Sequence, residues 1–108
     1  MYRLVILPIA QKDIKEAANW YEFKQSGLGK RFTQHVRIKL NSLKKHPYNF
    51  ANRYDETRTA VFDVFPFMAH YNIDEPQKLV IISAVLHTSR NPKIWNTNRD
   101  SDDWMDDL

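Results

Sequence analysis

The chain has 108 residues, no cysteine, and 16 Lys and Arg side chains against 13 Asp and Glu. This length is typical of one domain, and the lack of cysteine excludes both a disulfide bond and a catalytic thiolate. No apolar run approaches the roughly 18 residues that span a bilayer, and residues 1–9 lack the cleavage pattern of a secretory signal. The composition therefore predicts a cytoplasmic protein with no membrane partner.

The charge is unevenly distributed along the chain. Five aspartates lie in residues 100–108, which leaves residues 1–99 with 16 basic and 8 acidic side chains. Residues 23–54 hold eight Lys and Arg and no acidic side chain. Such a block predicts a positive surface that attracts phosphates or an acidic partner; a solvated helix face without a ligand is the alternative.

The first half of the chain predicts one strand and two helices. Residues 2–7 are rich in β-branched and aromatic side chains, which favours a strand that ends at Pro8. A helix is predicted over residues 10–24, because four apolar positions recur at i, i+3, i+4 and i+7, namely Ile14, Ala17, Ala18 and Tyr21. Ser26-Gly27 then breaks the pattern.

The second predicted helix covers residues 28–45 and ends before Pro47. Its apolar stripe spans about 80° at 100° per residue and consists of Phe32, Val36, Leu40 and Leu43. A group of cations lies nearly opposite, formed by Lys30, Arg31, Arg37, Lys44 and Lys45. Lys39 falls near the apolar edge, so its stem should pack while its amine reaches water.

The second half of the chain predicts three strands with short links. They cover residues 57–64, 67–73 and 78–86, and the last is the most apolar and should lie inside the sheet. The order β-α-α-β-β-β predicts an α+β fold, in which a helical hairpin packs on a twisted, mainly antiparallel four-stranded sheet. We expect one domain over residues 1–99 and a flexible acidic tail over residues 100–108.

Several residues of the C-terminal half carry suitable chemistry for RNA cleavage, and we expect the end of the last strand to present His87 and Arg90 to solvent. His87 can act as a base or an acid, Arg58 and Arg90 can clamp a phosphoryl group, and Trp95 can stack on a base. Each also has a purely structural interpretation. His87 can cap a strand end, Arg58 can pair with Asp63 or Glu56, Arg90 can pair with Asp74 or the acidic tail, and Trp95 can cover the core.

Metal and cofactor binding are not indicated. His35 and His46 are too far apart to form a pair on one helix face, and neither Cys nor an HxxxH motif is present. The residues predict no metal site and no cofactor.

The chain resembles the RelE/ParE superfamily of type II toxins, often called plasmid stabilization proteins, over about residues 2–96. The resemblance rests on an ordered set of short segments: Pro8 and Ala10, Ala18-Asn19-Trp20-Tyr21-Glu22, Gly27-Leu28-Gly29-Lys30-Arg31-Phe32, His46-Pro47, Arg58, Phe65-Pro66-Phe67, Tyr71-Asn72-Ile73-Asp74, Ala84-Val85-Leu86-His87, Arg90, Pro92 and Trp95. It implies two helices on a twisted antiparallel sheet and a cognate antitoxin that wraps the toxin in a hetero-oligomer.

The resemblance leaves the cellular target open between two branches. RelE-like members cut messenger RNA on the ribosome, and Arg58 and Arg90 match their arginines in position. Trp95 stands where they usually carry a tyrosine and has no hydroxyl, and Lys44 and Lys45 match their catalytic lysines only loosely. The resemblance therefore favours the ParE branch, which is associated with DNA gyrase. A module that binds antitoxin without toxicity is the third alternative.

The resemblance also assigns candidate surfaces. If the chain is a nuclease, the catalytic residues are Arg58, His87 and Arg90. Trp20 and Phe23 lie off the main apolar stripe of their helix and are candidate antitoxin anchors. The candidates for binding a nucleic acid or an acidic partner are Lys30, Arg31, Arg37, Lys44, Lys45, Arg53 and Trp95. We further hypothesise that residues 100–108, anchored by Trp104, fold over the basic hairpin.

Overall fold

The computed structural model describes residues 1–89 and places two helices and five strands in that range. Neither helix in this part of the chain is long and apolar enough to cross a membrane. Along the chain the elements are β1 (Arg3–Ile6), α1 (Pro8–Lys24), α2 (Leu28–Lys45), a 3₁₀ turn (Pro47–Asn49), β2 (Asn52–Tyr54), β3 (Thr57–Val61), β4 (Phe67–Asp74) and β5 (Leu79–His87).

The five strands form one sheet in the order β1-β5-β4-β3-β2. β1 runs parallel to β5, from Arg3 opposite Leu79 to Ile6 opposite Ile82, and the other pairs are antiparallel. The α+β fold and the interior position of β5 are confirmed. The expected count of four strands is wrong, because the short, bulged strand β2 adds a fifth at the edge beside β3.

Gly29 lets α1 and α2 approach each other closely. A Cβ atom at Gly29 would lie 2.5 Å from the carbonyl oxygen of Ala18 in α1. The Glu22 carboxylate, also in α1, accepts the backbone N–H groups of Gly27 at 3.0 Å and Gly29 at 3.1 Å. Since the first N–H groups of a helix have no partner within it, this carboxylate caps α2 from the preceding helix.

The helices cover one face of the sheet through an aromatic core. The Phe65 ring lies 4.8 Å from Tyr21 of α1 and 5.2 Å from Phe32 of α2, measured between ring centroids. Phe32 in turn lies 5.2 Å from Phe67 of β4. These rings are buried, so both helices and the sheet share one hydrophobic centre.

A smaller buried cluster lies on the other face of the sheet. Met68, Ala84 and Leu86 alternate along their strands with residues of the main core, and each is at most 3% exposed. Beside them, the hydroxyl of Tyr54 lies 3.1 Å from Nδ1 of the buried His70. The last strands therefore bury side chains on both faces.

Candidate functional site

Arg58 of β3 and His87 of β5 lie on opposite sides of β4 and pair with different positions along it. Arg58 stands opposite Tyr71 of β4, and His87 stands opposite Phe67 of β4. Tyr71 lies four residue steps beyond Phe67 along β4, which is about 13 Å along the sheet. The described residues thus do not bring Arg58 and His87 into one site. The other two members of the predicted set, Arg90 and Trp95, lie outside the described residues.

The environment of His87 differs from the expectation of a solvent-facing side chain. His87 is 8% exposed, and its ring packs edge-on against Phe67 with centroids 5.4 Å apart. Its Nδ1 accepts the backbone N–H of Ser89 at 3.1 Å and lies 2.8 Å from the Ser89 hydroxyl. The expected exposure is wrong because pleating turns this strand end toward the helix-covered face.

Arg58 is half-buried and occupied by local contacts. Its guanidinium donates to the carbonyl oxygen of Phe50 and lies 5.0 Å from the centre of the Tyr48 ring. Asp63, one of the partners considered for Arg58, pairs with Lys39 at 3.4 Å instead. Arg58 therefore attaches the segment before β2 to β3. It also borders a polar cavity of about 220 Å³ lined by Tyr48, Asn52, Glu56, Arg58 and Ile73.

Burial changes the acidity of the tyrosine opposite Arg58. The Tyr71 side chain is fully buried, and its hydroxyl donates to the carbonyl oxygen of Pro47 at 2.6 Å. This burial raises the pKa of Tyr71 to about 12, while the positive charge of Arg58 acts in the opposite direction. A neutral phenol at physiological pH suits a structural hydrogen bond and not proton transfer.

A hydrogen-bonded group around Glu75 was not predicted from the sequence. Glu75 Oε1 accepts the hydroxyls of Tyr2 at 2.7 Å and Tyr48 at 2.6 Å, and Lys78 pairs with the same carboxylate. The bonds from Lys78, Tyr48 and Tyr2 lower the pKa of Glu75 to about 2. The group joins the residue that precedes β1, the 3₁₀ turn and the β4–β5 turn.

Five of the six cations of α2 fall within an arc of about 140° at 100° per residue, which we call the basic face: Lys30, Arg31, Arg37, Lys44 and Lys45. Only Lys44 is half-buried, and α2 contains no acidic residue. Ile38 lies among these cations and is 64% exposed. The Lys39 side chain is 16% exposed, and its amine lies 5.6 Å from the centre of the Phe50 ring and 3.4 Å from the Asp63 carboxylate. Arg53 is exposed on β2.

Three apolar side chains of α1, which we call the apolar row, share one flank of the helix with the ion pair of Lys12 and Glu16: Ile9, Trp20 and Phe23. At 100° per residue the three fall within an arc of about 60°. Phe23 is 84% exposed and Ile9 42%, whereas Trp20 is half-buried against Tyr21, with centroids 5.3 Å apart. The two aromatic residues selected from the sequence as antitoxin anchors are therefore accessible to a partner.

An apolar groove of about 210 Å³ follows the edge strand β1. Leu4 and Ile6 form its floor, and α1 and α2 supply its walls through Ile14, Val36 and Leu40. Among the described strands, β1 pairs only with β5, so its other edge presents backbone groups beside the groove. An extended peptide can bond to these backbone groups of β1 and at the same time bury apolar side chains in the groove.

Within residues 1–89, no group of three or more His, Cys, Asp or Glu side chains is placed to hold a metal ion.

The family of the chain follows from a comparison with protein-family models. A model described as the ParE toxin of type II toxin–antitoxin systems, parDE, matches residues 4–92. This chain belongs to that family. The match includes both helices, all five strands and the basic face of α2. A comparison of this ParE-family chain with curated protein sequences gives no match.

Solved toxin structures share the fold of this ParE-family chain. The chromosomal ParDE system of P. aeruginosa superimposes with a TM-score of 0.70 at 18% identity, covering 81% of this chain and 96% of that one. The intact E. coli RelBE complex gives 0.64 at 14% identity, with 84% and 100% covered. The isolated E. coli RelE toxin gives 0.62 at 14%, with 88% and 93% covered. The predicted superfamily is thus confirmed, and both branches retain this fold.

Proposed function

We propose that this ParE-family chain is a toxin that inhibits growth by binding a cellular target, DNA gyrase, and that a cognate antitoxin neutralises it. The family match over residues 4–92 supports the toxin assignment. Toxin–antitoxin complexes among the solved structures of the same fold support the antitoxin partner. The proposal concerns binding and not bond cleavage.

The separation of Arg58 and His87 is the observation that favours binding over RNA cleavage. A general base and a phosphoryl clamp must reach the same phosphate, within hydrogen-bond distance of the reacting atoms. About 13 Å of strand lies between the partners of these two side chains, and both already make structural contacts.

The apolar row of α1 and the groove beside β1 are the proposed antitoxin surfaces. Phe23 offers a large aromatic side chain that solvent reaches almost completely, and such side chains contribute strongly to interfaces when a partner buries them. The groove adds a floor of Leu4 and Ile6 next to the edge of β1 that pairs with no other described strand. An antitoxin segment with apolar side chains would bury apolar surface at both places, which would stabilise the complex.

The basic face of α2 is the proposed target-binding surface. Four of its five cations are exposed on a helix that has no acidic residue. A surface that carries only positive charge accelerates association with an acidic partner, and the affinity falls as the salt concentration rises. The purified chain should inhibit gyrase supercoiling, and the double variant Arg31→Glu with Arg37→Glu should relieve the inhibition. Lys15→Glu, which changes an exposed lysine of α1, is the matched control.

A cellular experiment separates the proposal from its two alternatives. The chain is induced in bacteria without an antitoxin, and growth, DNA breaks and messenger RNA integrity are followed together. Growth arrest with DNA damage and intact RNA supports gyrase inhibition. Arrest with cleaved RNA that His87→Ala, Arg58→Ala or Arg90→Ala abolishes would establish a ribonuclease instead. Normal growth at a confirmed level of soluble protein would leave only an antitoxin-binding module.

A further inference from the structure

We propose that the acidic segment of residues 100–108 binds the basic face of α2 in its own chain and competes there with acidic partners. The segment lies beyond the described residues, and its sequence holds five aspartates and no cation. The basic face holds five cations on a helix without an acidic residue. The two surfaces are therefore matched in charge, and the attraction is strongest at low salt.

The two surfaces also match in their apolar content. Ile38 lies among the cations of the basic face and is 64% exposed. Trp104 lies among the aspartates of the acidic segment. Contact between these two side chains would bury apolar surface of both. This burial would stabilise the contact in addition to the attraction between the charges.

The described end of the chain lies close to α2. The backbone N–H of Thr88 donates to the carbonyl oxygen of Pro66 at 2.9 Å. The residue before that proline, Phe65, packs against α2, with its ring 5.2 Å from Phe32 and 5.3 Å from His35. The chain thus reaches Ser89 beside the N-terminal half of α2.

The intervening chain is long enough for the acidic segment to reach the whole basic face. Residues 90–99 can extend to roughly 33–36 Å, whereas a helix of the length of α2 measures about 27 Å. Because the segment is tethered, its effective concentration at the basic face is in the millimolar range, of order 1 mM. A separate acidic partner must then displace it.

Spin labelling tests the location directly, because the chain has no cysteine. The variant Leu108→Cys carries a single nitroxide label, and the broadening of backbone amide signals is measured by NMR on the full chain. We expect broadening in residues 30–38 of α2 at about 10 mM salt. It should be lost at about 1 M, where the Debye length falls from about 30 Å to about 3 Å.

Charge variants decide whether electrostatic attraction causes the contact. Replacing Asp102, Asp103, Asp106 and Asp107 by asparagine should abolish the broadening, whereas Asp55→Asn with Glu56→Gln, which alters exposed acidic residues outside the segment, should leave it unchanged. Broadening that survives neutralisation, or that maps to the sheet or α1, overturns the proposal. Broadening that appears only between a spin-labelled and an isotope-labelled copy would indicate intermolecular binding and also overturns it.

Competition is measured with poly-glutamate as the acidic probe. Neutralising the four aspartates should strengthen its binding several-fold at about 10 mM salt, and the gain should vanish at about 1 M, where exposed charges are screened. An unchanged affinity of the neutralised variant for poly-glutamate would overturn the proposal that the acidic segment competes with acidic partners. Both assays use the purified chain and no gyrase or antitoxin, so their outcome is independent of the toxin proposal.

Discussion

The carboxylate of Asp13 in α1 accepts the backbone N–H of Val85 in β5 at 3.0 Å, and both residues are buried. β1 pairs with β5 only as far as Ile6 opposite Ile82, after which the chain turns into α1. Val85 lies beyond that last pair, on the stretch of β5 that β1 no longer covers. Asp13 supplies the acceptor there and fixes α1 to the sheet.

Replacing Asp13 should therefore destabilise the fold. Asp13→Ala leaves the buried N–H of Val85 without this acceptor, and we expect a loss of about 1–3 kcal/mol in the free energy of unfolding. Asp13→Asn keeps an oxygen acceptor and should lose less. Urea denaturation followed by circular dichroism measures both, with Lys15→Ala as the exposed control on the same helix. Equal losses for the two Asp13 variants would contradict this account.

Gly29 should tolerate no side chain. Gly29→Ala places a Cβ atom 2.5 Å from the Ala18 carbonyl oxygen, which belongs to backbone and cannot rotate away. The helices must move apart, and overpacking of this kind typically costs about 1–3 kcal/mol. Ser26→Ala in the same connection is the control. A Gly29→Ala protein with the unfolding midpoint of the parent would show that the helix contact is looser than described.

Local patterns determine how far the sequence predicts this fold. The bounds of α2 agree with the predicted residues 28–45, because a regular apolar stripe precedes a proline that stops the helix. α1 begins at Pro8, two residues earlier than expected, since proline is well tolerated in the first turn of a helix. β2 has three residues, too few for an alternating pattern.

The contacts that define the site depend on residues far apart in the chain. Tyr2 and Glu75 are 73 residues apart, and Asp13 and Val85 are 72 apart, so no local spacing indicates either bond. The position of His87 at a strand end was predicted correctly, but its exposure was not. A strand end does not reveal which face a helix will cover.

The stability of the chain should depend on Glu75 in acid. Its pKa is about 2 in the folded chain against an ordinary 4.5, so the folded state binds this proton less readily than the unfolded state. The resulting stabilisation is present above about pH 4.5 and is lost as the pH falls toward 2. Glu75→Gln should reduce this acid dependence, measured as urea midpoints across that range. Tyr48→Phe removes one of the three donors and should give an intermediate slope. A parent-like slope in Glu75→Gln would contradict the assignment.

A substitution of Phe23 should weaken antitoxin binding without destabilising the fold. The side chain is 84% exposed, so Phe23→Ser should change the free energy of unfolding by less than about 0.5 kcal/mol. If the apolar row of α1 contacts the antitoxin, the same variant should weaken the complex at least tenfold, or about 1.4 kcal/mol. Calorimetric titration with the cognate antitoxin measures the affinity. Val64→Ser, at an exposed apolar residue between β3 and β4, is the matched control, and equal losses in both variants would contradict a specific role for Phe23.

Arg58 and His87 should contribute to stability independently. Each holds a different end of the sheet, Arg58 through Phe50 and Tyr48, His87 through Phe67 and Ser89. Substitutions that are further apart than about 7–10 Å and share no partner usually add within about 0.3–0.5 kcal/mol. The losses of Arg58→Ala and His87→Ala should therefore sum to that of the double variant in urea denaturation. A coupling above about 1 kcal/mol would show that the two side chains act in one network, and a shared catalytic site would regain support.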